Sequence, residues 1–161
     1  MMGDPGQDQP ADSPPRKAPW GCLLVVLLVA IAGAGGFYLY QREKALETVG
    51  AREGRLTLAR DDGRSLKKVD RGTKPELWYR VVLTEAPTGR SLSLRCEWID
   101  PQGKVVHRNR YDTKVIDQPD WPTHARYQLA ADSPKGEWTV RLLLGNRELH
   151  SMTFEVHEEK K

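Results

Sequence analysis

At 161 residues, with 39% hydrophobic and 29% charged side chains, the chain has room for about one domain and none for a large enzyme with a deep cleft. Its formal charge of +3 is unevenly spread, −1 over residues 1–40 and +4 over the remainder, a mild bias well short of the dense basic stripe of a nucleic-acid binder. Two cysteines, Cys22 and Cys96, lie too far apart in the expected layout to form a disulfide, which rules out a disulfide-framed scaffold.

Residues 1–19 are rich in Gly, Pro, Asp, Ser and Gln, have little to bury, and read as a disordered tail. From Trp20 to Tyr40 the chain runs WGCLLVVLLVAIAGAGGFYLY, 21 residues without a charge. As a helix this stretch would reach ~31 Å, the thickness of a bilayer's hydrocarbon core. Trp20 at one end and Phe37, Tyr38 and Tyr40 at the other suit the two headgroup boundaries. Residues 20–40 are therefore expected to form a transmembrane helix whose partner is membrane lipid. The competing reading is a signal peptide cleaved at the small-x-small pattern Ala32-Gly33-Ala34. The apolar run continues past that site, and the tail before it is long for a signal, which favours an uncleaved anchor. Ala30 with Ala34, and Ala32 with Gly36, space small residues four apart, a route to a homodimer through this helix.

Residues 41–54, QREKALETVGAREG, read as a polar helical stalk, with Gly50 and Gly54 as stopping points. From residue 55 the period becomes two, the mark of half-buried strands. Strands are predicted at 55–60, 76–84, 91–99, 104–111, 125–129, 137–144 and 148–156. In 91–99, Leu92, Leu94, Cys96 and Trp98 alternate with Ser91, Ser93, Arg95 and Glu97. Asp100-Pro101-Gln102-Gly103 makes a tight turn and Gly145-Asn146 a two-residue hairpin. Leu149 is out of phase with Met152, Phe154 and Val156, which predicts a bulge near Ser151. The fold class is all-β: a seven-or-so-stranded antiparallel sandwich over 55–157, behind one N-terminal transmembrane helix and before a charged tail, 158–161.

The segment Pro134-Lys135-Gly136-Glu137-Trp138-Thr139-Val140, followed by Gly145-Asn146 and Phe154-Glu155-Val156, resembles the closing hairpin of bacterial immunoglobulin-like domains. Trp98-Ile99-Asp100-Pro101-Gln102-Gly103 is similar to an earlier hairpin of the same domains. The resemblance covers about residues 75–156 and implies an extracytoplasmic binding or spacer module with no catalytic residues to carry over. Cys96 departs from the antibody-type pattern, because no second cysteine exists for an inter-sheet disulfide. Orientation is contested. Arg42, Lys44, Arg52 and Arg55 outnumber Arg16 and Lys17, which points to a cytoplasmic domain. The analogy with exported sandwich domains behind a short anchor points outward. The expectation adopted is an inner-membrane, single-pass protein with a cytoplasmic N-terminus and a periplasmic domain.

No chemistry stands out. His107, His124, His150 and His157 have no metal-ligand spacing, no nucleophile elbow occurs, and Cys96 sits on an apolar strand face. No enzyme, cofactor, metal or nucleic-acid partner is expected. Two features are candidates for binding. Trp121, in what reads as a loop over 117–124, either packs over the open end of the sandwich, the commoner role, or anchors a partner or sugar ring. His107, Arg108, Arg110 and Arg126 would form a basic patch if their strands paired, although an ordinary solvated face is the commoner outcome. The preferred function is a membrane-anchored, non-enzymatic interaction or spacer module meeting an envelope protein. The alternative is a glycan- or anionic-polymer-binding module using Trp121 and the basic strand.

Overall fold

A computed structural model describes residues 44–158, together with residues 28, 29, 31, 33, 35–37 and 40. The chain divides into two compact units, one ending at Gln41 and one beginning at Arg42. In the first, the described residues are helical, and Leu28, Val29, Ile31, Phe37 and Tyr40 are all exposed. Among the described residues no helix is long and apolar enough to cross a membrane. The predicted tail 1–19, most of the predicted span 20–40 and residues 159–161 lie outside the described residues.

Among the described residues the second unit holds eight strands: β1 Gly50–Thr57, β2 Lys68–Asp70, β3 Glu76–Thr84, β4 Ser93–Ile99, β5 Val105–Asp112, β6 Trp121–Gln128, β7 Gly136–Leu144 and β8 Arg147–His157. They form a three-stranded sheet, β1-β3-β6, and a five-stranded sheet, β2-β8-β7-β4-β5. The chain crosses between sheets after β1, β2, β3, β5 and β6, so that the two sheets close as a sandwich. The sheets are antiparallel except for β2, which runs parallel to β8. At three residues, β2 is too short to show a period, and the sequence reading missed it.

Alternation dictates the core. On β3, Leu77, Tyr79, Val81 and Leu83 are buried, so Trp78 and Arg80 face out. On β4, Leu94, Cys96 and Trp98 face in, meeting Leu144, Leu142 and Val140 across β7. The aromatic centre is Trp98, edge-on to Phe154 at 6.3 Å, with Trp138 6.2 Å from the same ring. Both indoles keep their hydrogen bonds in the interior: Trp98 Nε1 donates to Asn109 Oδ1 (3.0 Å) and Trp138 Nε1 to the Pro134 carbonyl (2.8 Å). Buried tryptophans need such partners, since an unpaired N–H is costly in an apolar interior. Burial pushes the Cys96 thiol well above its ordinary range, with Glu97 adding to the effect, so it stays protonated as a small core side chain.

Two stretches differ from the sequence reading. The polar segment 41–54 is helical only through Glu47 among its described residues, and Gly50 already opens β1. Residues 44–47 are helical, but Gly50 and Ala51 pair with Thr84 and Leu83 on the edge of the three-stranded sheet. The β1 register then shifts between Arg52 and Arg55, where Glu53 takes φ 56°. Gly54 at this irregularity backs onto an imidazole: a Cβ there would lie 2.1 Å from His150 Cε1. The predicted bulge of β8 is present, but at Leu149 rather than Ser151. Leu142 pairs with His150 and Leu143 with Glu148, so Leu149 is the extra residue and packs on the core.

Two stability predictions follow from these contacts. Gly136, opening β7 at φ 127°, sits where a Cβ would lie 3.1 Å from Pro101 Cγ. Gly136→Ala should cost about 2 kcal/mol, read as a lowered urea midpoint with unchanged slope. His150 Nδ1 lies 2.6 Å from the Tyr79 hydroxyl, and burial lowers its pKa below 6.5 against a smaller opposing pull from Glu148. The neutral imidazole is therefore the folded form, and the unfolded chain binds the extra proton first. Stability should be fully present above pH 6.5 and fall as the pH drops through the lowered folded value. His150→Asn should flatten that part of the urea-midpoint profile.

Candidate binding cleft at the open edge of the sandwich

β5 is the last strand of the five-stranded sheet and β6 the last of the three-stranded sheet. They do not pair. They face each other across the open side of the sandwich, with a cleft of about 610 Å³ between them. His107, Arg108, Arg110, Trp121 and Arg126, the five candidates of the sequence reading, all line it.

The route differs from the one anticipated. The basic patch was conditional on its strands pairing, whereas the structure brings the four residues together from two separate sheets. Trp121 is not in a loop. It begins β6, opposite Leu83, and its ring is half-buried against the core. Pro119, Asp120 and Pro122 read as turn formers, but proline is tolerated on a strand whose N–H side has no partner. Pro122 occupies such a place, because β6 pairs only with β3.

Alternation then sorts the side chains. On β5 the odd residues turn inward. The His107 ring stacks 5.3 Å from Tyr127, Asn109 Nδ2 donates to the Arg126 carbonyl (3.0 Å), and the Tyr111 hydroxyl lies 3.0 Å from Thr123 Oγ1. These contacts stitch the two edges together at the floor of the cleft. Burial pushes the Tyr111 hydroxyl up to about 12, so it stays protonated and able to donate. Sequence reasoning missed Asn109 and Tyr111 as seam residues. Their alternation with Arg108 and Arg110 was the available signal.

The even residues of β5 lie on the outer face of the five-stranded sheet, where the electrostatics are unusual. Glu97, only 4% exposed at its side chain, sits among three arginines: Arg141 Nη2 at 2.7 Å, Arg108 Nε at 3.0 Å and Arg95 Nε at 3.4 Å. Burial alone would raise its pKa, but the hydrogen bonds from Arg141 and Arg108 outweigh it and hold the carboxyl below its ordinary range. Arg110 stands directly opposite Arg95, a like-charge pair, and among the described residues no carboxylate reaches it.

Across the cleft, Arg126 joins the outer face of the other sheet. Its guanidinium and that of Arg80 lie 5.2 and 4.9 Å from the Trp78 ring centre, and the His124 ring lies 4.8 Å from Trp78. Cation–π packing holds both arginines in place, and each also has a carboxylate partner, Glu76 Oε1 at 3.6 Å from Arg126 Nη1 and Asp61 Oδ2 at 3.6 Å from Arg80 Nε. Burial lowers the His124 pKa, and Arg80 and Arg126 lower it further, so this imidazole is neutral at pH 7. Among the described residues no group of three or more His, Cys, Asp or Glu side chains gathers to hold a metal ion.

No protein family matches the chain by sequence, and no curated protein does. Among solved structures the chain is similar to an immunoglobulin-like protein of Pseudomonas aeruginosa, with TM-score 0.48 and 16% identity over 68% of this chain and 96% of that one. It is also similar to part of an alkylpurine DNA glycosylase of Pseudomonas fluorescens bound to DNA containing an abasic-site analogue. There the TM-score is 0.42 and the identity 15%, over 67% of this chain and 30% of that one. The assignment of the fold rests on the strand order itself.

Proposed function

We propose that the chain is a non-enzymatic, membrane-tethered interaction module of the bacterial cell envelope that meets its partner at the open edge between β5 and β6. The observation that carries this reading is the convergence there of His107, Arg108, Arg110, Trp121 and Arg126 from two sheets on one exposed cleft. The tether is supported by the apolar run 20–40 and by the exposure of Leu28, Val29, Ile31, Phe37 and Tyr40, each at 57% or more, surface that lipid would cover at no cost to water. Tethering raises the domain's effective concentration at the membrane and strengthens a weak contact. The domain faces the periplasm in this reading, and a reporter active only there, fused after Lys161, should be active.

The test of the contact surface is photo-crosslinking in living cells, from a reactive amino acid placed at Arg110, Lys114, Arg60 or Lys68 in turn. A discrete protein adduct should form from the first two positions, which border the cleft. Equal labelling from all four, or labelling from Arg60 and Lys68 alone, would defeat the reading. A second reading, an anionic glycan polymer in the same cleft, is favoured by the arginines on its two walls. It predicts glycan binding by the intact chain that Trp121→Ala and Arg126→Ala both weaken.

A further inference from the structure

We infer that β5 is a docking edge for strand addition, and that its partner is an extended peptide segment carrying acidic side chains at alternate positions. This deepens the interaction reading above and rests on it.

The backbone geometry comes first. The Thr113 N–H donates to the Leu92 carbonyl (2.9 Å), which sets the phase of the β4–β5 ladder. Along an antiparallel strand the peptide groups alternate in direction, so Tyr111, Asn109 and His107 bond to β4. The N–H and C=O groups of Arg108, Arg110 and Asp112 therefore point away from it. No strand lies on that side, and all three residues are exposed. β5 is also free of proline, unlike β6 with Pro122. It offers eight residues of ladder for an added strand to pair with.

The charges select the occupant. Directly opposite residues across the five-stranded sheet form rows. One row reads Arg141, Glu97, Arg108, alternating positive, negative, positive, and ends at the open edge on a cation. The next reads Leu143, Arg95, Arg110, two cations side by side with Arg110 outermost. A carboxylate opposite Arg108 would continue the first row, and one opposite Arg110 would relieve the second. Arg108 and Arg110 are two residues apart on one face, so the incoming strand must carry its acids at positions i and i+2. A second copy of this chain is the less fitting occupant: antiparallel pairing of two β5 edges centred on Asn109 would set Arg108 of each copy against Arg110 of the other, and pairing centred on Tyr111 would match Arg110 to Asp112 but leave Arg108 without an acid. A dimer of the full-length chain in detergent, lost on Asp112→Asn, would overturn the acidic peptide as occupant.

The test uses the full-length chain in non-ionic detergent and synthetic peptides of one composition, with two glutamates either at alternate positions among valine and threonine or side by side as a block, which leaves only one acid on the matching face. The alternating peptide should bind several-fold more tightly than the blocked one, reflecting the second matched cross-strand pair. N-methylating the amides that face β5 should abolish that binding. Hydrogen exchange should slow at the Arg108 and Arg110 amides and stay unchanged at Asn109 and Tyr111, which β4 already protects. Arg110→Glu, which places an acid opposite Arg95 and leaves Arg108 in place, should abolish that preference and favour a peptide with one glutamate and one lysine at positions i and i+2. Equal affinity for the alternating and blocked peptides, indifference to N-methylation, or no binding by roughly 1 mM would overturn strand addition. Binding of a sulfated polysaccharide without protection of Arg108 and Arg110 would overturn it in favour of the glycan reading. If crosslinks still form from Arg110 and Lys114, the interaction reading stands when this inference falls; if they do not, that reading falls by itself.

Discussion

Trp98→Ala should be the most damaging single substitution in the sandwich, costing about 4–5 kcal/mol. A domain of this size holds only about 5–15 kcal/mol in total, so the variant should lose roughly a third or more of its stability. Trp98 is fully buried, packs edge-on against Phe154 at 6.3 Å and lies 5.3 Å from Tyr127 on the opposite sheet. Its removal opens a cavity where the sheets meet and leaves Asn109 Oδ1 without its indole donor. Because Asn109 also holds the Arg126 carbonyl, the β5–β6 seam should loosen along with the core. Trp98→Phe isolates the polar part. It retains most of the packing and should cost about 2–3 kcal/mol, through the smaller volume and the lost hydrogen bond. Urea unfolding followed by circular dichroism checks both. An alanine variant within about 1 kcal/mol of the parent would mean that the aromatic centre is not where the sheets are held together.

Glu97→Ala is the second large effect, expected at about 2–3 kcal/mol. Glu97 offsets three arginines, and without it Arg95, Arg108 and Arg141 confront one another, with only Glu148, 3.9 Å from Arg141, as a remaining acid. A fully buried ion pair broken from one side costs more, but these guanidiniums are 27%, 54% and 36% exposed, and water screens part of the repulsion. Salt provides a second signature. Adding it should narrow the gap between variant and parent, because it screens like charges in the variant and attraction in the parent. The pH dependence has a definite sign. The folded pKa of Glu97 lies below the ordinary 4.5, so its contribution is present above that value and is lost as the pH falls through the lowered one. The acid limb of the stability profile should therefore be shallower in Glu97→Ala. A salt effect of the opposite sign would mean that the cluster contributes nothing net.

Both effects bear on the cleft, since Asn109 and Arg108 belong to β5 and connect it to the core and to the outer face. A substitution at Trp98 would disturb binding through the scaffold, whereas Arg110 makes no ion pair among the described residues. Arg110 is accordingly the residue at which binding and stability separate most cleanly.

Strand phase was readable because one face of each sheet must shed water: Leu77, Tyr79, Val81 and Leu83 on β3, and Leu94, Cys96 and Trp98 on β4, announce themselves by alternation. The same rule marked Leu149 as out of phase, although the bulge proved to be Leu149 itself. Alternation is silent where a segment is short or its neighbours carry turn residues. β2, with three residues, had no period to show, and Trp121 and Pro122 looked like loop because Pro119 and Asp120 precede them.

From its residues alone the chain declares an apolar run of bilayer length, an all-β domain behind it, the core faces of its main strands, and the five side chains worth watching. Local pattern suffices for these, since burial and period act between near neighbours. It could not declare that β5 and β6 end different sheets, that Glu97 would meet arginines from both flanking strands, or that the five candidates would border one cleft. Those are pairings between distant segments, such as Glu97 with Arg141, and only the order in which strands assemble settles them.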